Sequence, residues 1–149
     1  MKKILFALGL SFSLALTATC TFAADTEAAT PVKHKIVFQV NFDGEDRYND
    51  VLGNIENTQK AFGKENVEIV VVAHGNGAAL VTKGNNEALT KRIEAVTAAG
   101  AKFDLCTYTI AKKHIADEAI LPGVTKVQGG IAEVVRLHEK GYIYIKLGS

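Results

Sequence analysis

The chain has 149 residues, with 17 Lys and Arg against 16 Asp and Glu, so its formal net charge at neutral pH is +1. Such a balanced chain has no basic face with which to neutralise phosphates, which argues against nucleic acid and anionic membrane surfaces as partners. The length is that of one domain and is sufficient to bury a core without disulfides or metals.

The amino end has the pattern of a secretory signal peptide over residues 1–23. Lys2 and Lys3 precede an apolar run from Ile4 to Ala18, and small residues two apart at Thr21 and Ala23 predict cleavage after Ala23. The run is shorter than the roughly 20 residues that a membrane span needs. We therefore expect an exported protein of the bacterial periplasm with no membrane segment after cleavage.

Cleavage would remove Cys20 and leave Cys106 without a second cysteine. No internal disulfide could then form, although the periplasm favours disulfides. Lipid anchoring at Cys20 is the less favoured alternative, because residues 17–19 lack the leucine and the small residue that normally precede a lipidated cysteine. Loss of Lys2 and Lys3 changes the net charge from +1 to −1.

Residues 24–34 are small and polar, which predicts a flexible leader before a domain over residues 35–149. Apolar runs predict buried strands at Lys35–Asn41 and Val67–His74. The segment between them predicts an amphipathic helix ended by Gly63, because its apolar residues recur at helical spacing: Tyr48, Val51, Leu52, Ile55 and Phe62.

The same alternation continues to the carboxyl end. Asn85 or Asn86 can cap the next helix, which Gly100 ends. The remaining predicted elements are a strand at Ala101–Cys106, a helix around Lys112–Ala119, a strand at Thr125–Gln128, a helix opened by Gly129–Gly130 and a strand at Tyr142–Leu147. Five strands alternating with four helices predict a three-layer α/β domain with a five-stranded, mainly parallel sheet.

Open parallel sheets bind ligands at the carboxyl ends of their strands. The predicted segments there are Phe42–Arg47, His74–Gly77 and Cys106–Thr109. The glycines of His74–Gly77 could present N–H groups to an anion, but the segment lacks a dinucleotide fingerprint and a phosphate-loop lysine. A turn that needs positive φ is the favoured interpretation, and no cofactor is predicted.

Cys106 admits two interpretations. Its thiolate could be stabilised by the following helix start and by Lys112, Lys113 and His114, or it could be a small buried hydrophobe. His74 could be a base or ligand, although a histidine at a strand end is more often structural. No close ligand pair supports a metal site formed from His74, Cys106 and His114.

Several segments together resemble the DsrE/DsrF-like family over nearly the whole mature chain. They are Gly100–Cys106, Leu121–Thr125, Gly130–Leu137 and Gly141–Lys146, with His74–Gly77 matching the loop after the second strand. The resemblance implies an α/β domain with a five-stranded parallel sheet, assembled as a trimer or hexamer. It also implies a persulfide on a cysteine matching Cys106, passed from thiol to thiol along a relay.

The resemblance has one departure at the cysteine: many relatives continue with Gly-Asn-Thr, whereas this chain has Thr107-Tyr108-Thr109. The hypothesis is a periplasmic sulfur carrier or sulfurtransferase-like protein with Cys106 as its catalytic residue and a sulfur donor or acceptor protein as partner. The alternatives are a non-catalytic oligomeric module that binds a small ligand or metal, and a structural trimer. Candidate binding residues are His74, Gly75, Asn76, Gly77, Thr107, Tyr108, Lys112 and Lys113.

Overall fold

The structure is a computed structural model that describes residues 33–147. The predicted signal peptide, Cys20 and residues 24–32 of the predicted leader lie outside the described residues. Among residues 33–147, no helix combines the length and the apolar character needed to cross a membrane.

A parallel sheet forms the centre of the domain. Its strands are β1 His34–Val40, β2 Val67–Ala73, β3 Lys102–Cys106, β4 Thr125–Val127 and β5 Ile143–Lys146. Their order in the sheet is β4-β3-β2-β1-β5, and all four strand pairings are parallel. The predicted α/β fold is therefore confirmed, with a sheet that is wholly rather than mainly parallel.

Helices connect successive strands. Asn86, not Asn85, caps the second of them, because its side chain accepts a hydrogen bond from Leu89 N–H at 2.8 Å. The α-helices are α1 Glu45–Phe62, α2 Glu87–Ala98, α3 Thr107–Lys113 and α4 Gly130–Glu139, and two 3₁₀ helices cover Gly75–Val81 and Asp117–Ala119.

The two faces of the sheet are covered unequally. Helices α1 and α2 pack on one face, where Phe38, Leu52 and Ile93 belong to the larger apolar cluster. On the other face α4 contributes Leu137 to a small cluster with the strand residues Val37, Val70 and Val72, and with Tyr142. The domain thus has three layers, with a single helix on the second face among the described residues.

The helix predicted around Lys112–Ala119 is wrong. Helix α3 instead begins at Thr107, immediately after Cys106, and ends at Lys113. His114 adopts the left-handed conformation with φ 52°, and Ile115 N–H bonds to the Ile110 carbonyl at 3.0 Å. This pattern is a Schellman motif, which stops the helix and turns Ile115 back towards the core beside Ile110.

The segment after β2 packs directly against the end of β1. A Cβ atom at Gly77 would overlap the carbonyl group of Val40, so the 3₁₀ helix Gly75–Val81 can approach the strand only with glycine there. Gly75 has φ 56°, as expected for a turn that needs positive φ. The close approach fixes the segment that contains the candidate residues Gly75, Asn76 and Gly77.

Replacing Gly77 by Ala should therefore destabilise the protein by about 1–3 kcal/mol, because the backbone at Val40 must move to admit the methyl group. Gly53→Ala is the matched control. Gly53 is helical, and the nearest atom to its Cβ would be Arg92 Nη2 at 3.9 Å, so alanine should stabilise α1 by about 0.5–1 kcal/mol. Urea denaturation of both variants measures the difference. Equal shifts in the midpoint would contradict the close-approach argument.

Candidate functional site

The candidate site lies where β2 and β3 end. Val70 pairs with Lys102 and Val72 with Asp104, and Val70 and Val72 belong to the cluster beneath α4. Side chains alternate between the faces of a sheet, so His74 and Cys106, two residues farther along, lie on the α4 side. The topology therefore brings together the two candidate residues whose side chains are best suited to catalysis.

Cys106 is the last residue of β3 and the cap of α3, and it is only 5% exposed. Burial is the largest single influence on the thiol and opposes its ionisation. Hydrogen-bond donors around the sulfur together outweigh burial and hold the pKa of Cys106 below its usual value. The donors are the N–H and hydroxyl of Thr109 and the N–H groups of Gly130 and Tyr108.

Thr109 connects the cysteine to the segment after β2. Its buried Oγ1 accepts a hydrogen bond from Gly75 N–H at 2.9 Å, and its hydroxyl can in turn donate to the Cys106 sulfur. Thr109 was not among the predicted site residues. Its position three residues after a helix-capping cysteine could have indicated it, had the start of α3 been recognised.

Gly130, the first residue of α4, borders both His74 and Cys106. A Cβ atom at Gly130 would lie 2.8 Å from the His74 Cβ atom, so only glycine permits this packing. The Gly130 N–H is also one of the donors around the Cys106 sulfur. Its role was missed in the sequence, where the pair Gly129–Gly130 indicated only a helix start.

A pocket of about 480 Å³ opens beside these residues. Lys113 Nζ donates to Asn76 Oδ1 at 3.0 Å across it, so α3 and the 3₁₀ helix Gly75–Val81 form its walls. The pocket is lined by His74, Gly75, Asn76, Tyr108, Thr109, Lys112 and Lys113.

The remaining predicted residues lie outside that lining. Gly77 is buried against Val40, and Thr107 is half-buried at the start of α3. Cys106 itself does not line the pocket, although its neighbours Tyr108 and Thr109 do. The structure therefore gathers most of the predicted binding residues around one cavity and leaves the sulfur at its border.

The His74 side chain is hydrogen-bonded to Gln39 of β1, which is in turn hydrogen-bonded to Tyr144 of β5. Its Nε2 atom lies 2.7 Å from Gln39 Nε2, and Gln39 Oε1 accepts a hydrogen bond from the Tyr144 hydroxyl at 2.7 Å. Burial lowers the pKa of His74, which favours the neutral imidazole. Gln39 and Tyr144 were not predicted as site residues, since the pairing of β1 with β5 brings together residues 105 positions apart.

Metal-ligating side chains do not converge in the part of the chain that the structure describes. No group of three or more His, Cys, Asp or Glu residues there could hold a metal ion. His114 caps the far end of α3, while Cys106 caps its start, so the two residues are separated by the length of that helix.

Comparisons with known proteins agree with this architecture. The model of the DsrE/DsrF-like family matches residues 1–147. A protein of unknown function, MTH1491 from Methanobacterium thermoautotrophicum, is 26% identical, with a TM-score of 0.70 over 76% of this chain and 98% of that protein. The ychN protein from E. coli is 13% identical with a TM-score of 0.61 over the same shares of the two chains, which shows the fold alone. No curated protein matches the chain.

We expect removal of a hydrogen-bond donor near Cys106 to raise the pKa of its thiol. Thr109→Val removes one donor to the thiolate and should move the titration of Cys106 to higher pH, because the anion loses stabilisation while burial persists. Thr109→Ser keeps the hydroxyl and should stay close to wild type. The ultraviolet absorbance of the thiolate against pH gives both curves. A Thr109→Val curve that coincides with the wild-type curve would contradict a role for the hydroxyl.

Proposed function

The chain belongs to the DsrE/DsrF-like family, which is associated with sulfur relay, and we propose that it is a sulfur carrier or sulfurtransferase that holds a persulfide on Cys106. The observation that carries the proposal is the group of hydrogen-bond donors around the Cys106 sulfur, which together hold the pKa of the thiol below its usual value. A thiolate is the nucleophilic form of cysteine, and its persulfide is also an anion. The same donors suit both species.

Positive charge beside the cysteine supports an anionic substrate. Lys112 and Lys113 occupy the last turn of α3 and line the pocket, and none of the other lining residues within 33–147 is a carboxylate. Both lysines follow Cys106 on the same short helix. An incoming sulfur anion therefore meets cationic side chains in the pocket beside the thiolate.

The transfer step needs no external oxidant. The Cys106 thiolate attacks the outer sulfur of a persulfide or thiosulfate, forming a new S–S bond. The donor's S–S bond breaks, and its electron pair leaves with the donor thiolate or with sulfite. The reverse attack by an acceptor thiolate on the outer sulfur would discharge Cys106.

We propose a periplasmic location for the mature protein. The support is the sequence pattern of residues 1–23, with its basic start, short apolar run and small residues before Ala23. Lipid anchoring at Cys20 remains the less favoured alternative. A carrier in that compartment would have to keep its single mature thiol from forming disulfides with other chains, and the burial of Cys106 favours this.

We also propose that the protein is a homo-oligomer, a trimer or hexamer. Apolar side chains are exposed on α4 and on the edge strand β5: Ile131 is 55% exposed, Val135 50% and Tyr144 41%. Large exposed apolar side chains are candidates for burial in a protein interface. A second copy of the chain would bury it, and the sulfur donor or acceptor is a further partner.

Val135→Glu should reduce the oligomer to a smaller species, because it introduces a charge into the surface that association would desolvate. Lys60→Glu is the control, because Lys60 is an exposed residue of α1 on the opposite side of the sheet. It should leave the mass of the oligomer unchanged. Sedimentation equilibrium of both variants and of wild type measures this. A monomeric wild-type protein would overturn the proposal.

The alternative is a non-catalytic module that binds a small ligand in the pocket. One observation favours it: Cys106 is 5% exposed, so the sulfur could be packed rather than reactive. The pocket of about 480 Å³ would then be the functional feature, with Cys106 contributing only to the wall behind it.

Incubation with polysulfide or thiosulfate tests the sulfur carrier. Wild type should gain the mass of one sulfur atom, and Cys106→Ser should gain nothing, because the serine hydroxyl cannot form the S–S bond. Intact-mass spectrometry before and after treatment with a reductant measures the gain and its reversal. Absence of a gain in folded wild type would remove the chemical basis of the proposal.

Alkylation separates the two candidate functions further. A thiol that reacts with iodoacetamide in the native protein supports the carrier. A thiol that reacts only after denaturation supports the binding module.

A further inference from the structure

We propose that Tyr144 and Gln39 are positioning residues that hold His74 with its proton on Nδ1, so that His74 offers a neutral N–H donor to an anionic sulfur compound in the pocket. The identity of the ligand rests on the proposed function, whereas the state of His74 does not. Hydrogen bonds link Tyr144 on β5 to Gln39 on β1 and Gln39 to His74 at the end of β2.

In the structure the hydrogen bonds run from Tyr144 through Gln39 to His74. The Tyr144 hydroxyl donates to Gln39 Oε1 at 2.7 Å, which turns the Gln39 amide nitrogen towards His74. An amide nitrogen can only donate, so His74 Nε2, 2.7 Å away, must accept. A neutral imidazole with an accepting Nε2 carries its proton on Nδ1. The amide in the reverse orientation would give the opposite tautomer.

The backbone of His74 is fixed by hydrogen bonds, and its side chain is closely packed. The backbone N–H of His74 donates to the Val40 carbonyl at 3.0 Å, and the backbone carbonyl of His74 accepts from the Gly77 N–H at 3.0 Å. Gly130 packs against the His74 side chain so closely that a methyl group there would lie 3.0 Å from its Cγ atom. The ring therefore has little freedom to exchange its two nitrogens.

Neutral His74 suits an anion that must stay unprotonated. Burial lowers the pKa of His74 and so favours the neutral imidazole, in a pocket that Lys112 and Lys113 also line. An imidazole N–H is a far weaker acid than an imidazolium. It can therefore donate a hydrogen bond to a thiosulfate or persulfide without transferring its proton to that anion or to the Cys106 thiolate.

Nitrogen-15 NMR of the imidazole tests the tautomer directly, without any sulfur donor. In wild type we expect a protonated Nδ1 and an unprotonated Nε2, with the signals assigned by their loss in His74→Asn. Gln39→Leu removes the donor to Nε2 and should shift the population towards the Nε2–H tautomer. Tyr144→Phe frees the Gln39 amide to turn and should give an intermediate spectrum.

Gln59→Leu is the matched control, because Gln59 bonds to carbonyl groups at the end of α2 and does not touch His74. Its His74 signals should match those of wild type. A wild-type spectrum with the proton on Nε2 would overturn the proposal. An unchanged Nδ1–H population in a folded Gln39→Leu variant would also overturn it.

Titration with thiosulfate tests the ligand class in a Cys106→Ser background, where no sulfur can be transferred. We expect the His74 signals to shift, and Gln39→Leu to weaken binding by about 3- to 10-fold, the effect of losing one hydrogen bond. Unmoved His74 signals would overturn the assignment of an anionic ligand. Because this measurement excludes transfer, its failure and a failure of persulfide formation are distinguishable.

Discussion

Helix α4 approaches the sheet so closely at Gly130 that no side chain fits between its first turn and His74. The approach brings the Gly130 N–H to the Cys106 sulfur and packs the Gly130 backbone against one side of the His74 ring. Gly130 thus contacts both His74 at the end of β2 and Cys106 at the end of β3. A larger residue at position 130 would push α4 away from both residues. The pKa of Cys106 and the packing of the His74 ring therefore both depend on a glycine at this position.

Local pattern was sufficient for the sheet and most of its connections. Apolar runs gave β2 to within one residue, and alternation of strands and helices gave the parallel arrangement. The start of α3 could not be predicted in this way, because Thr107 and Thr109 have weak helix preference. They are helical here because Thr109 bonds to Gly75 and faces the Cys106 sulfur, contacts that exist only after β2 and β3 have paired.

The site was predictable only where chain topology implies proximity. Parallel strands end at one edge of the sheet, so the sequence was sufficient to expect His74 and Cys106 close together. Gln39 and Tyr144 could not be expected beside His74, because that requires β5 to pair with β1 and not with its neighbour in sequence, β4. Strand order depends on which faces bury apolar surface in the complete domain. A local pattern contains little of that information.

The burial of Cys106 has a consequence for the regioselectivity of sulfur chemistry there. A persulfide would extend the side chain by one S–S bond of about 2 Å. Its inner sulfur would stay within the donors from Thr109, Tyr108 and Gly130, where the thiol is 5% exposed. An attacking thiolate would therefore meet the outer sulfur first. Attack there passes the sulfur on, whereas attack on the inner atom would form a mixed disulfide and release hydrosulfide, so steric shielding alone would favour transfer over loss.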